Sequence, residues 1–190
     1  TSAASSLVFA GYGITAPEYQ YDDYEGVDVR GKIVLIMKHE PGEKDSSSSF
    51  SGVNETRHSL IGVKLENAMK HGAIGLMIVT DPLNHLLLTP QGHPWPALSR
   101  FMPQDNLPVN LEHENKSIPF MQVGESVIKA LFESVDSLKR IQKRIDQSMK
   151  SISFQFPATH CLMHTALKIT RYPVKNVIGY LEGAHPRLKD

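Results

Sequence analysis

The sequence predicts a mixed, β-rich α+β domain with about seven strands and three helices. Short apolar runs bounded by Gly and Pro indicate strands, and apolar residues recur at helical spacing in three places. No segment repeats with a fixed period. At 190 residues the chain is long enough for one well-buried core but short for two ordinary domains. We therefore predict a single domain over residues 1–190.

Two strands are predicted in the first forty residues. "SLVFAGYGI" (6–14) is apolar and ends in glycines, and "KIVLIMK" (32–38) is a β-branched run of the kind that forms a central strand. The polar segment "PGEKDSSSSFSGVNET" (41–56) has too little apolar surface to offset the entropy of ordering it. We expect it to be a mobile surface loop.

A helix followed by a strand is predicted next. From about Arg57 the apolar residues take helical spacing, and Gly72 is placed to end the helix. "AIGLMIVTD" (73–81) follows at once as an apolar strand. This order is typical of a helix that packs on one face of a sheet.

The second half continues with a strand, two helices and further strands. "IPFMQV" (118–123) predicts a strand, and "GESVIKALFE" (124–133) predicts an amphipathic helix. A third helix is indicated by an apolar stripe whose opposite face carries basic residues: Leu138, Ile141, Ile145 and Met149 against Lys139, Arg140, Lys143 and Arg144. Such a charged face is typically solvated. Alternation from Ile152 onward and "NVIGYLEG" (176–183) predict closing strands.

Between Asp81 and Ser117 no period holds, and six prolines recur. Long unpatterned segments inside compact domains are often functional. We predict that Trp95, Phe101 and Met102 face a substrate or a partner. The alternative is a surface loop in which Trp95 packs under its own prolines.

Composition excludes several classes of function. Twenty basic residues balance twenty acidic ones, so we predict no nucleic-acid partner. No run approaches the ~20 apolar residues of a spanning helix, so we predict no membrane span. Cys161 is the only cysteine, which excludes an internal disulfide and any multi-cysteine metal site.

The histidines and carboxylates do not form a recognisable motif. "HCLMH" (160–164) has a zinc-helix spacing, but Cys161 stands where the general base is needed, and a strand would separate the two histidines by roughly 13 Å. Asp22 and Asp23 are adjacent and are predicted to lie in a solvated loop. No nucleophile with a base is found. We expect no catalytic residue, no metal site and no cofactor, because three or four convergent ligands cannot be assembled.

Four stretches resemble one known family. "LVFAGYGITAPEYQYDDYEGVDVRGKIVLIMKHEPG" (7–42), "HGAIGLMIVTDP" (71–82), "IPFMQV" (118–123) and "KNVIGYLEGAHPRLKD" (175–190) are similar to the protease-associated domain of secreted zinc aminopeptidases of metallopeptidase family twenty-eight. The resemblance implies a twisted, barrel-like sheet with flanking helices. It also implies a fragment inserted in a larger peptidase whose peptidase domain, with its two zinc ions, is absent from this chain.

The resemblance carries no catalytic residue over to this chain. In similar enzymes the first zinc ligands follow a further strand, whereas His185 lies in the turn itself and is followed by Pro186. His185 is therefore not expected to bind zinc. The implied role is an accessory domain at the active-site cleft of an extracellular or periplasmic enzyme, with the peptidase domain as its partner and peptides or proteins as substrates. The alternatives are an autonomous protein- or peptide-binding module and an enzyme with an unrecognised site.

Overall fold

The computed structural model describes residues 1–86, 117–166, 175, 178 and 179 of the chain. The predicted strand 176–183 lies almost entirely outside these ranges, the alternation from Ile152 onward gives one strand within them, and two short strands at 15–16 and 21–22 were not predicted. The described residues form the three predicted α-helices and seven strands. In chain order these are β1 (Ser2–Ala10), β2 (Thr15–Ala16), β3 (Tyr21–Asp22), β4 (Ile33–Met37), α1 (Ile61–Lys70), β5 (Gly75–Val79), β6 (Phe120–Val123), α2 (Glu125–Phe132), α3 (Val135–Ser148) and β7 (Ser153–His164). Short 3₁₀ turns cover Pro17–Tyr19 and Arg57–Ser59.

Five strands form one sheet in the order β6-β5-β4-β1-β7, and β2 pairs with β3 separately. The strands β1, β4, β5 and β6 run parallel, and β7 is antiparallel to β1. The mixed α+β class is therefore confirmed. The barrel-like closure is not, because over the described residues the sheet stays open, with β6 and β7 at its two edges.

Helices cover both faces of the sheet because alternate residues of the central strands point to opposite sides. On one side Ile33, Leu35 and Met37 pack in a core shared with α2 and α3. On the other side Val34 and Ile36 share a core with Ala68 of α1. All five residues of β4 are buried, as the continuous apolar run predicted.

The first strand ends earlier than predicted, at Ala10 rather than Ile14. Gly11 and Gly13 both have positive φ, 44° and 71°, and turn the chain there. A Cβ on Gly11 would lie 2.0 Å from Asp23 Oδ1, so this position admits only glycine. The glycines that looked like a strand end are thus a turn that wraps around Asp23.

Residues 41–56 contain no helix or strand, in keeping with the loop that was predicted, but they are anchored to the core. Phe50 is fully buried, and its ring lies 4.6 Å from that of Tyr19 and 5.4 Å from that of Tyr21, centroid to centroid. The Thr56 amide donates to Glu40 Oε1 at 2.8 Å. The composition underestimated how well ordered this segment is, because burial of the single Phe50 ring contributes about 2 kcal/mol even though its neighbours in the chain are polar.

The strand β7 confirms the interpretation of "HCLMH". His160 and His164 are both exposed and pair across the ladder with Ser6 and Ser2. They therefore belong to an edge strand and not to a metal-binding helix. On α3, Arg140, Lys143 and Arg144 are exposed, as predicted for a solvated basic face, whereas Lys139 is half-buried.

Candidate functional site

Two short loops leave neighbouring parallel strands at the same edge of the sheet. The register pairs Met37 of β4 with Val79 of β5, and the Lys38 amide donates to the Val79 carbonyl at 2.8 Å. His39 and Asp81 each lie two residues past this pair, so they emerge side by side. The carboxyl ends of parallel strands are where open sheets of this kind commonly bind ligands.

Each loop carries a histidine and a carboxylate four residues apart. After β4 the chain reads His39, Glu40, Pro41, Gly42, Glu43, and His39 takes a left-handed conformation with φ of 57°. After β5 it closes a single turn in which the His85 amide donates to the Asp81 carbonyl at 3.2 Å. The two turns bring Glu43 back toward His39 and His85 back toward Asp81.

These four side chains converge on one point. One ligand atom from each of His39, Glu43, Asp81 and His85 lies within 4.8 Å of the others. His39 Nδ1 contacts Asp81 Oδ1 and lies 3.6 Å from Glu43 Oε2. His85 Nε2 lies 2.7 Å from Glu43 Oε1 and 3.8 Å from Asp81 Oδ2. We call this set the two-loop cluster.

The two-loop cluster is largely buried and its imidazoles are stacked. The Asp81 side chain is fully buried and that of Glu43 is 8% exposed, whereas His85 retains 31% exposure. The rings of His39 and His85 stack with centroids 4.1 Å apart. Two carboxylates thus face two imidazole nitrogens inside the protein, with access from solvent on the His85 side.

Helix α3 supports the cluster from the side. Gln142, which is fully buried, donates from Nε2 to Asp81 Oδ2 at 3.3 Å and accepts from the Leu83 amide at 2.9 Å. Asp146 accepts from the Tyr12 hydroxyl at 2.8 Å and from the Gly42 amide at 3.2 Å. Burial raises the pKa of Asp146 to about 6, and the carboxylates of Asp81 and Glu43 add to the rise.

A second polar network is centred on Asp23, and it contradicts one prediction. Asp23 was expected in a solvated loop but is fully buried. It accepts hydrogen bonds from the amides of Tyr12 and Ile14 at 2.9 and 3.1 Å and from the Tyr21 hydroxyl at 2.7 Å. The turn at Gly11 folds the chain over this carboxylate. The pattern of polar residues in the sequence does not indicate this burial.

Lys64 of α1 supplies the opposite charge to Asp23. It is also buried, and its ammonium donates to the Tyr12 carbonyl. Burial raises the pKa of Asp23 and lowers that of Lys64, and the attraction between the two groups opposes both shifts. Because every polar atom of Asp23 has a partner, we interpret this network as structural.

The residues predicted as a substrate- or partner-facing loop lie outside the described part of the chain. This holds for Trp95, Phe101 and Met102, and also for His185. Their predicted roles stay predictions.

The two-loop cluster was missed by the sequence analysis. The expectation of no metal site rested on the premise that no set of ligands converges, and that premise does not hold. A usable signal was present, since "HEPGE" and "DPLNH" each place a histidine and a carboxylate four apart directly after an apolar strand.

Comparison with known proteins gives one match. A family model described as PA domain matches residues 3–131, a span of more than half of the chain. The match covers both loops of the cluster and the strands that present them. No curated protein shows a significant match to the chain. None of the described helices is long and apolar enough to cross a membrane.

Proposed function

Because the chain belongs to the PA domain family, we propose that it is the accessory domain of an exported zinc aminopeptidase of metallopeptidase family twenty-eight. The family supports the coarser statement directly, since PA domains are protease-associated modules that are typically non-catalytic. The aminopeptidase context rests on the resemblance of residues 7–42 and 175–190 to such enzymes. In this proposal the two catalytic zinc ions belong to a peptidase domain of the same polypeptide.

One structural observation supports an inserted domain. Strands β1 and β7 are neighbours, and the Thr1 amino group donates to the Thr165 carbonyl at 2.8 Å while the Thr165 amide donates back at 2.9 Å. A domain inserted in a host must leave it and return at adjacent places. The prediction that Asp190 itself lies near Thr1 concerns a residue outside the described ranges.

In the proposed role the domain borders the active-site cleft and limits which peptides enter. Residues 81–117 are the segment proposed to reach the cleft. The enzyme would work outside the cytoplasm, in keeping with the secreted enzymes that residues 7–42 resemble.

The coding sequence downstream of Asp190 tests this proposal. We expect a further strand followed by a G-A-H-x-D-H zinc motif. A stop codon there would contradict the proposal and favour the autonomous protein- or peptide-binding module. An aminoacyl reporter assay on the 190-residue chain provides a second check, because the proposal predicts no turnover. Turnover by the purified chain would mean that the chain is itself an enzyme.

A further inference from the structure

We propose that His39, Glu43, Asp81 and His85 form a binding site for one divalent transition metal ion of the zinc class. The inference concerns this chain alone and does not depend on the parent enzyme. Its basis is the convergence of two imidazole nitrogens and two carboxylates from two separate loops within 4.8 Å.

The distances suit a four-coordinate ion. With metal–ligand bonds of about 2.1 Å, adjacent ligands of a tetrahedral site lie about 3.4 Å apart. Two of the cluster's nitrogen–oxygen separations, His39 to Glu43 and His85 to Asp81, are 3.6 and 3.8 Å. The two shorter separations, His39 to Asp81 and His85 to Glu43, must lengthen when an ion binds, and we expect the carboxylates to rotate to allow this.

Charge also favours a bound cation. Among the described residues, Lys44 is the only Lys or Arg within salt-bridge distance of the cluster, and its side chain is 67% exposed. One divalent ion would balance the negative charges of the Asp81 and Glu43 carboxylates, and metal-binding histidines ligate through neutral imidazole.

The ligand set selects the kind of metal. Imidazole nitrogen suits zinc, iron, nickel and copper, whereas calcium and magnesium prefer all-oxygen sites. Two nitrogens and two carboxylates in a closed set of four match a structural zinc site better than a catalytic one, which keeps a position open.

The surroundings meet two further requirements of a metal site. Ligands are normally held by outer hydrogen bonds, and Gln142 provides one to Asp81. A site also needs a route for the ion, and the exposed edge of His85 offers one. The bound ion would tie the loop after β4 to the loop after β5 next to the amide of Gln142 on α3.

The proposal is tested by removing bound metal from the 190-residue chain with EDTA, removing the EDTA, and then titrating the chain with Zn²⁺ in a calorimeter. We expect one ion per chain with submicromolar affinity, a higher melting temperature with zinc, and no comparable binding of Ca²⁺ or Mg²⁺. His85→Gln and Glu43→Gln should each weaken zinc binding at least about 100-fold. His160→Gln removes an exposed strand histidine outside the cluster and should leave the affinity unchanged.

Binding of zinc that is equally strong in His85→Gln and in the unmodified chain would overturn the proposal. So would the absence of saturable binding, which would leave the cluster as a set of hydrogen-bonded ion pairs. Circular dichroism shows whether the variants fold. If they do not fold, the test is the visible absorption of Co²⁺ bound to the unmodified chain. Strong absorption is expected from a four-coordinate site, and weak absorption would contradict the proposal.

Discussion

Lys64 and Asp23 place one cation and one anion in the interior of the domain. Burying the two charged groups removes both from water, which costs free energy. The three hydrogen bonds that Asp23 accepts offset part of that cost. The pair holds the turn at Gly11 beside Tyr12, and Tyr12 reaches Asp146 through its hydroxyl. Through Asp146, which also accepts from the Gly42 amide, the buried pair is connected to the loop after β4 that carries His39 and Glu43.

We expect Lys64→Met to lower the free energy of unfolding by about 3–5 kcal/mol, because it leaves a buried carboxylate without its cation. Adding Asp23→Asn should recover part of this loss, since an amide can keep hydrogen bonds to the same neighbours without a charge. Urea unfolding measures both. Lys70→Met, an exposed position on the same helix, is the control and should change stability by no more than about 0.5 kcal/mol. A Lys64→Met loss as small as the control's would show that the pair is not charged in the folded state.

Among the elements, the segment 41–56 has a composition typical of disorder but packs through one ring. Phe50 lies edge-on to Tyr21 and close to Tyr19, so β3 and the 3₁₀ turn before it depend on a residue about thirty positions later. This segment also begins two residues after His39. Anchoring it therefore holds one of the two loops of the cluster.

Phe50→Ala should destabilise the domain by about 3–5 kcal/mol, the usual cost of removing a buried phenyl ring. Thermal or urea unfolding measures this loss. Val53→Ala is a matched control in the same segment, because Val53 is 61% exposed and its removal should cost no more than about 0.5 kcal/mol. If Phe50→Ala cost no more than Val53→Ala, the segment would be independent of the core.

The difference between what sequence patterns predict and what they miss follows from the range of the interactions. The run "IVLIM" and the helical stripe that ends at Gly72 are local, so both elements were found. The two-loop cluster depends on β4 and β5 being adjacent and parallel, with Met37 opposite Val79. No local pattern contains that register. Phe50 was misplaced for the same reason, since its partners Tyr19 and Tyr21 lie about thirty residues away. Asp23 was misplaced because its burial depends on the turn at Gly11, which folds the nearby amides of Tyr12 and Ile14 onto its carboxylate.

At the scale of the whole molecule, the two-loop cluster and the proposed substrate-facing segment begin at the same edge of the sheet. The chain passes from His85 to Leu86, which is 90% exposed, and the described part resumes at Ser117 just before β6. Metal binding at His85 would therefore hold the start of the segment that contains Trp95. The proposed metal site and the proposed cleft function are adjacent in the chain, but each has its own test.

We expect Trp95 to present apolar surface to the substrate in the full-length aminopeptidase that we propose. The segment 81–117, which contains Trp95, has six prolines that limit its backbone freedom. Its apolar residues follow no helical or strand period, which argues against an ordinary core element. Trp95→Ala in the full-length enzyme should raise KM for longer peptides about tenfold, equivalent to about 1.4 kcal/mol, and should change KM for a single aminoacyl reporter much less. The melting temperature of the 190-residue chain should hardly change. Equal kinetics on both substrates together with a large loss of stability would instead place Trp95 under its own prolines as part of the core, because a buried indole stabilises the fold and cannot contact a peptide in the cleft.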